Sequence, residues 1–163
     1  MKRKALLVLA MVFGMTLGAM AVEQGGIHFG FWYGAPHSVR NSELHGVGIG
    51  IPIYAGKKVD GGAFSILANS NVDVNGVQGA WFAYNQADTL TGAQASIVNL
   101  ILKKAENFAL QLGVYNQCEK RGVQIGLVNN GRDNAIFQLG LVNINQNGAM
   151  PFMILFNFGK KAQ

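Results

Sequence analysis

Three histidines, one cysteine and eight acidic side chains are the groups in this chain that could do chemistry. Their spacing decides against most of it. His28, His37 and His45 lie in GIHFG, APHS and ELHG, none at a metal-ligand spacing from a Cys or a second His. Glu43 near His45 adds too little for a site, so the reading is of exposed or turn histidines. The acids are scattered singly, with no D-x-D and no carboxylate pair for general acid–base work. That disfavours a polysaccharide lyase or hydrolase. Cys118 has no catalytic partner pattern around it and reads as a tolerant turn residue rather than a nucleophile. There is no G-x-S-x-G, and the glycines follow strand parity rather than G-x-G-x-x-G or G-K-[ST] loops. Phe29, Phe31, Trp32, Tyr33, Trp81, Phe82 and Tyr84 could stack on sugar or girdle a membrane interface. Filling or capping a core is the expected role. The sequence predicts a protein that is not an enzyme and has no cofactor or metal.

The N-terminus reads MKRKALLVLAMVFGMTLGAMA. Lys2, Arg3 and Lys4 form a basic region, Ala5 to Leu17 an apolar run, and Ala19-Met20-Ala21 an A-x-A site. This is the pattern of a secretory signal peptide over residues 1–21, leaving one domain over 22–163. Three of the thirteen basic residues leave with the signal and none of the eight acidic ones does, so the balance falls to ten minus eight, or +2. The apparent basicity belongs to targeting, and no nucleic-acid partner is expected. One cysteine allows no internal disulfide in an oxidising compartment.

The elements come from a repeated phrase, most regular over 62–159. AFSILAN, AWFAYN, AQASIVN, LQLGVYN, VQIGLVN, FQLGLVN and PFMILFN end at Asn69, Asn85, Asn99, Asn116, Asn129, Asn143 and Asn157. Gln94, Gln111, Gln124 and Gln138 lie five before their Asn, and Gln78 seven before Asn85. Gly113, Gly126 and Gly140 occupy one place in three adjacent units. Self-similarity at a short period of about 14 residues marks a repeat architecture. Within each unit the period is two, which predicts strands. Val123, Ile125, Leu127 and Asn129 then share one face, opposite Gln124, Gly126 and Val128. NSNVDVNG, NQADTLTG, NQCEKRG, NNGRDN and NINQNG read as polar turns, with Asn-Gly pairs at 75–76, 130–131 and 147–148.

The fold class is all-β. A parallel, solenoid-like stack is preferred, because Asn always ends the strand and would form one column, where amides can bond to each other. The Gln residues would form a second ladder, and the Gly residues would permit close approach. An antiparallel meander or barrel is the alternative, suggested by the unequal intervals and the Asn-Gly turns. Repeated G-[VL]-Q-[IL]-G-[LF]-[VI]-N units ending in NGAMPFMILFNFG resemble the bacterial surface-repeat proteins over residues 46–159, most clearly over 108–159. The resemblance implies an envelope location and a non-catalytic role, and carries over no functional residues. Two functions stand as expectations. One is an exported structural or interaction module facing a protein or glycan partner in the periplasm, at the outer membrane or at the cell surface. The other is a small outer-membrane β-barrel, which leaves membrane association open.

Overall fold

The computed structural model describes residues 26–32, 37–103, 108–119 and 121–160; the expected signal peptide lies outside them. Among the described residues ten strands form one sheet in chain order. These are β1 (Gly26–Gly30), β2 (Glu43–Gly50), β3 (Ile53–Ser65), β4 (Ala68–Ala80), β5 (Tyr84–Ala95), β6 (Val98–Ile101), β7 (Ala109–Cys118), β8 (Gly122–Gly131), β9 (Phe137–Asn145) and β10 (Phe152–Phe158). A short helix, α1 (His37–Asn41), precedes β2, and its Val39 enters the core. Neighbours from β1 to β9 pair in parallel. Only β10 runs antiparallel, folding back on β9 as a cap. The chain is therefore a β-solenoid of about seven turns with a period of about 15 residues. The meander or barrel alternative is not the fold. Of the three Asn-Gly pairs, Asn147-Gly148 reverses the chain ahead of β10. Asn75-Gly76 lies inside β4 and Asn130-Gly131 closes β8.

Two segments expected to be turns are strands. NSNVDVNG belongs to β4 and NQADTLTG to β5. Asp73, Asn75, Thr89 and Thr91 point outward and meet in register, with Thr89 Oγ1 donating to Asp73 Oδ1 at 2.7 Å, while Asn69, Asn71 and Asn85 are buried. Val74 and Leu90 point inward and extend a buried aliphatic column, Leu44–Val59–Val74–Leu90. A strand needs only its inward positions to be buried, so a polar exterior disguised these two.

Strict alternation also misassigned the faces. Gln124 and Asn129 are five residues apart, which in a straight strand means opposite sides, yet both are fully buried. The chain bends between them. Pairing of β7 with β8 runs from Gly113–Gly126 to Tyr115–Val128 and skips the residue between. One coil earlier, the amides of Val114 and Tyr115 both donate to Ile97 O, at 2.9 and 3.0 Å. The bend turns both amides into the interior and leaves Ile125 and Leu127 outside, 40% and 51% exposed.

Candidate functional site

The repeat positions form two continuous amide ladders inside the coils. Asn69, Asn85, Asn99, Asn116, Asn129 and Asn143 stand in register. Each Nδ2 donates to the Oδ1 of the next coil, at 2.8, 3.2, 2.9, 2.9 and 2.8 Å in order. From Asn69 to Asn129 each also caps a backbone carbonyl of the following coil, such as Leu139 O at 2.9 Å from Asn129, whereas Asn143 Nδ2 turns back to Gly140 O at 2.7 Å. Gln78, Gln94, Gln111, Gln124 and Gln138 form the second ladder, but donate toward the preceding coil, at 2.8, 3.1, 2.8 and 2.7 Å. Gln111 and Gln138 reach across the bend to the carbonyls of Gln117 and Ile144, at 2.9 and 2.8 Å. Where such a backbone acceptor is present it fixes which end of the amide is nitrogen, since a flip would set oxygen against oxygen, and the neighbouring rungs follow from it. Amides buried this way are satisfied along the stack, which offsets the desolvation that an isolated Asn would suffer.

Glycine is needed beside the ladders. A Cβ on Gly126 would collide with Gly113 O, and one on Gly140 with Gly126 O and Asn129 Nδ2. On Gly113 it would strike Ser96 O and Asn99 Nδ2. Close approach is thus the role of this column. A second column, Gly46–Gly61–Gly76–Gly92, escaped the sequence reading although its intervals are 15, 15 and 16 residues. There φ lies between 132° and 154°, and each Cβ would run into the preceding glycine's carbonyl.

Asn157 is not a seventh rung. On the reversed β10 it pairs with Gln138 rather than Asn143, and its Nδ2 donates to Met150 O at 2.9 Å. The ladders also stop short of the N-terminal coils. Tyr54 occupies the Asn column there, fully buried, with its ring packed where Gly48 has no side chain. The terminal amide atoms Asn69 Oδ1, Gln78 Nε2 and Gln138 Oε1 are buried without a bonding partner, as is Tyr54 Oη.

The titratable groups are dispersed. His28 is buried on β1, not exposed as expected, and burial lowers its pKa below 6.5; Ser42 Oγ lies 3.5 Å from its Nδ1. His45 is exposed on β2, 3.1 Å from Asp60 Oδ2. His37 starts α1. Cys118 is likewise a buried strand residue and not the tolerant turn residue expected. It ends β7 with no exposed surface, and desolvation, aided by the Glu119 charge, pushes its thiol from 9.0 up to about 12. The inward position at the end of the strand, in register with Gly131, put it there. Among the described residues no group of three His, Cys, Asp or Glu could hold a metal ion.

Outside, the solenoid has two contrasting flanks. One carries paired charges: Lys58 with Asp60 at 3.4 Å, Lys103 with Asp88 at 2.7 Å, and Arg132 with Glu119 at 3.2 Å. The other, formed by the strand halves that carry Gln, is apolar along its length. An outward column there runs from Phe29 through Phe64, Leu112, Ile125 and Leu139 to Phe156. Trp81 and Phe82 project from the adjoining bend, Trp81 80% exposed. Phe29, Phe31, Trp32, Trp81 and Phe82 therefore decorate the surface instead of filling a core, while Tyr84 is half-buried and the fully buried aromatic is Tyr54. Tyr33 lies outside the described residues. No family model, curated protein or solved structure matches this chain.

Proposed function

We propose that the chain is an exported, non-catalytic repeat scaffold of the bacterial envelope, a structural or interaction module that presents its outer flanks to a protein or glycan. The observation that carries this reading is the division of labour across the sheet. Inward repeat positions are committed to ladders and glycine contacts, and the broad surfaces left over are one charged and one apolar flank. The resemblance to bacterial surface-repeat proteins and the N-terminal KRK–apolar–AMA pattern support the location. The barrel alternative requires antiparallel neighbours closed on themselves, whereas β1 to β9 pair in parallel.

Fractionation of cells producing the full chain tests the proposal. The expected result is envelope protein beginning at Val22, released by salt or carbonate without detergent. A cytoplasmic pool that retains Met1 would overturn export. Heat-modifiable migration in detergent would favour a barrel.

A further inference from the structure

The apolar flank stands without an occupant among the described residues, and we infer that it is covered by the same flank of a second copy. The inference rests on the scaffold reading and names its partner. The outward column from Phe29 to Phe156 crosses eight strand-to-strand steps, about 38 Å at roughly 4.8 Å per step. A parallel column from Ile27 through Val47, Val77 and Val123 to Phe158 lies two residues away. The bend residues Ile66, Trp81, Val114, Leu127 and Leu141 add a third row. The width is then about 15–20 Å, giving roughly 600–700 Å² of surface with no charged side chain in these rows. That exceeds the largest patch of most soluble monomers.

Area and texture favour a second copy. Face-to-face pairing would bury about 1,200–1,400 Å² in total, enough for a specific dimer. The flank is ridged at the strand spacing, so only a surface with the same repeat distance can seat ridges in grooves along the full length. A twin supplies that match by symmetry. Its backbone groups are already bonded between coils, so covering it strands no donors. An anionic membrane has less to hold. Lys58, Lys103 and Arg132 are paired with carboxylates on the charged flank, which leaves only Arg121 and Lys160, beside the rows of Val123 and Phe158, as basic side chains next to the apolar flank among the described residues.

Sedimentation velocity on the exported chain in detergent-free buffer, over a wide concentration range, tests this. The expected result is a dimer, weakened tenfold or more in a Leu112→Thr/Ile125→Thr/Leu139→Thr variant whose circular dichroism is unchanged. Ile125→Arg, a single charge at the centre of the flank, serves if the triple variant does not fold. Flotation with phosphatidylcholine vesicles, with and without phosphatidylglycerol, runs beside it. A monomer at every concentration, a dimer indifferent to both variants, or a monomer that floats with vesicles would each overturn the inference. A monomer in the envelope fraction would leave the scaffold reading standing. Recovery with Met1 from the cytoplasm would sink that reading alone.

Discussion

Replacing Asn129 by leucine removes a middle rung while keeping the branched side-chain skeleton, at the cost of added bulk. Three hydrogen bonds go: the one accepted from Asn116 Nδ2 at 2.9 Å, and those donated to Asn143 Oδ1 at 2.8 Å and Leu139 O at 2.9 Å. Each neutral bond is worth about 1 kcal/mol net, and a buried amide atom left unpaired costs about 1–3 kcal/mol. Asn116 Nδ2 keeps Ile125 O at 3.0 Å, so it is only partly orphaned, whereas Asn143 Oδ1 loses its donor. The expected loss is about 3–5 kcal/mol. Asn143→Leu, at the end of the ladder, removes the bond from Asn129 and one to Gly140 O at 2.7 Å, for about 2 kcal/mol. A double-mutant cycle in urea supplies the sharper test. Asn116→Leu with Asn129→Leu should cost about 1–2 kcal/mol less than the sum, because the two share a bond. Asn69→Leu with Asn143→Leu, at opposite ends of the ladder, should add within about 0.5 kcal/mol. Additivity in the adjacent pair, or a loss below about 1 kcal/mol for Asn129→Leu, would refute the ladder as a source of stability.

Gly126→Ala should destabilise by about 3 kcal/mol in the same urea assay, since its Cβ meets backbone rather than a yielding side chain; a neutral effect would contradict the close approach. Cys118→Ser, expected from sequence to be harmless, should instead cost about 1–3 kcal/mol for an underbonded buried hydroxyl, read as a lowered urea midpoint. The Cys118 thiol is protonated in the fold up to about pH 12 but ionises from 9.0 once exposed. Its contribution to stability is therefore complete below pH 9 and falls between 9 and 12, which urea midpoints in Cys118→Ala should no longer show. Burial lowers the His28 pKa, so the unfolded chain binds the extra proton below 6.5. Stability should decline as pH falls through that value, with amide exchange in β1 rising first, and His28→Gln should flatten the response.

Much of the ladder was legible because register and repetition coincide: the intervals from Asn69 to Asn143 mapped directly onto parallel pairing. Direction at the end did not. PFMILFN, ending at Asn157, looks like another unit, but the reversal through Asn147-Gly148 is decided by what caps the stack. Period two also cannot tell inside from outside. The bend at Gly126 to Val128 that turns Gln124 and Asn129 to the same side depends on contacts with the neighbouring coil, which a single unit does not contain. The Gly46–Gly92 column was readable by spacing, and was hidden in part because Gly76 and Gly92 close the polar stretches taken for turns. Cys118 was misjudged because its polar neighbours in NQCEKRG hide the inward position it takes, and His28 because GIHFG is apolar on both sides and does not show which face is inward.

The two ladders point opposite ways, the Asn column donating toward the C-terminal end and the Gln column toward the N-terminal end. Aligned amide dipoles in one column would sum, as peptide dipoles do in a helix, and build opposite partial charges at its two ends. Counter-running columns cancel most of that moment, and along each strand successive peptide groups point alternately toward the two neighbouring coils. Each added coil therefore brings a nearly null electrical increment. A solenoid built this way can gain or lose whole repeats by unequal recombination without accumulating a field at its caps, which makes its length a nearly free variable of evolution.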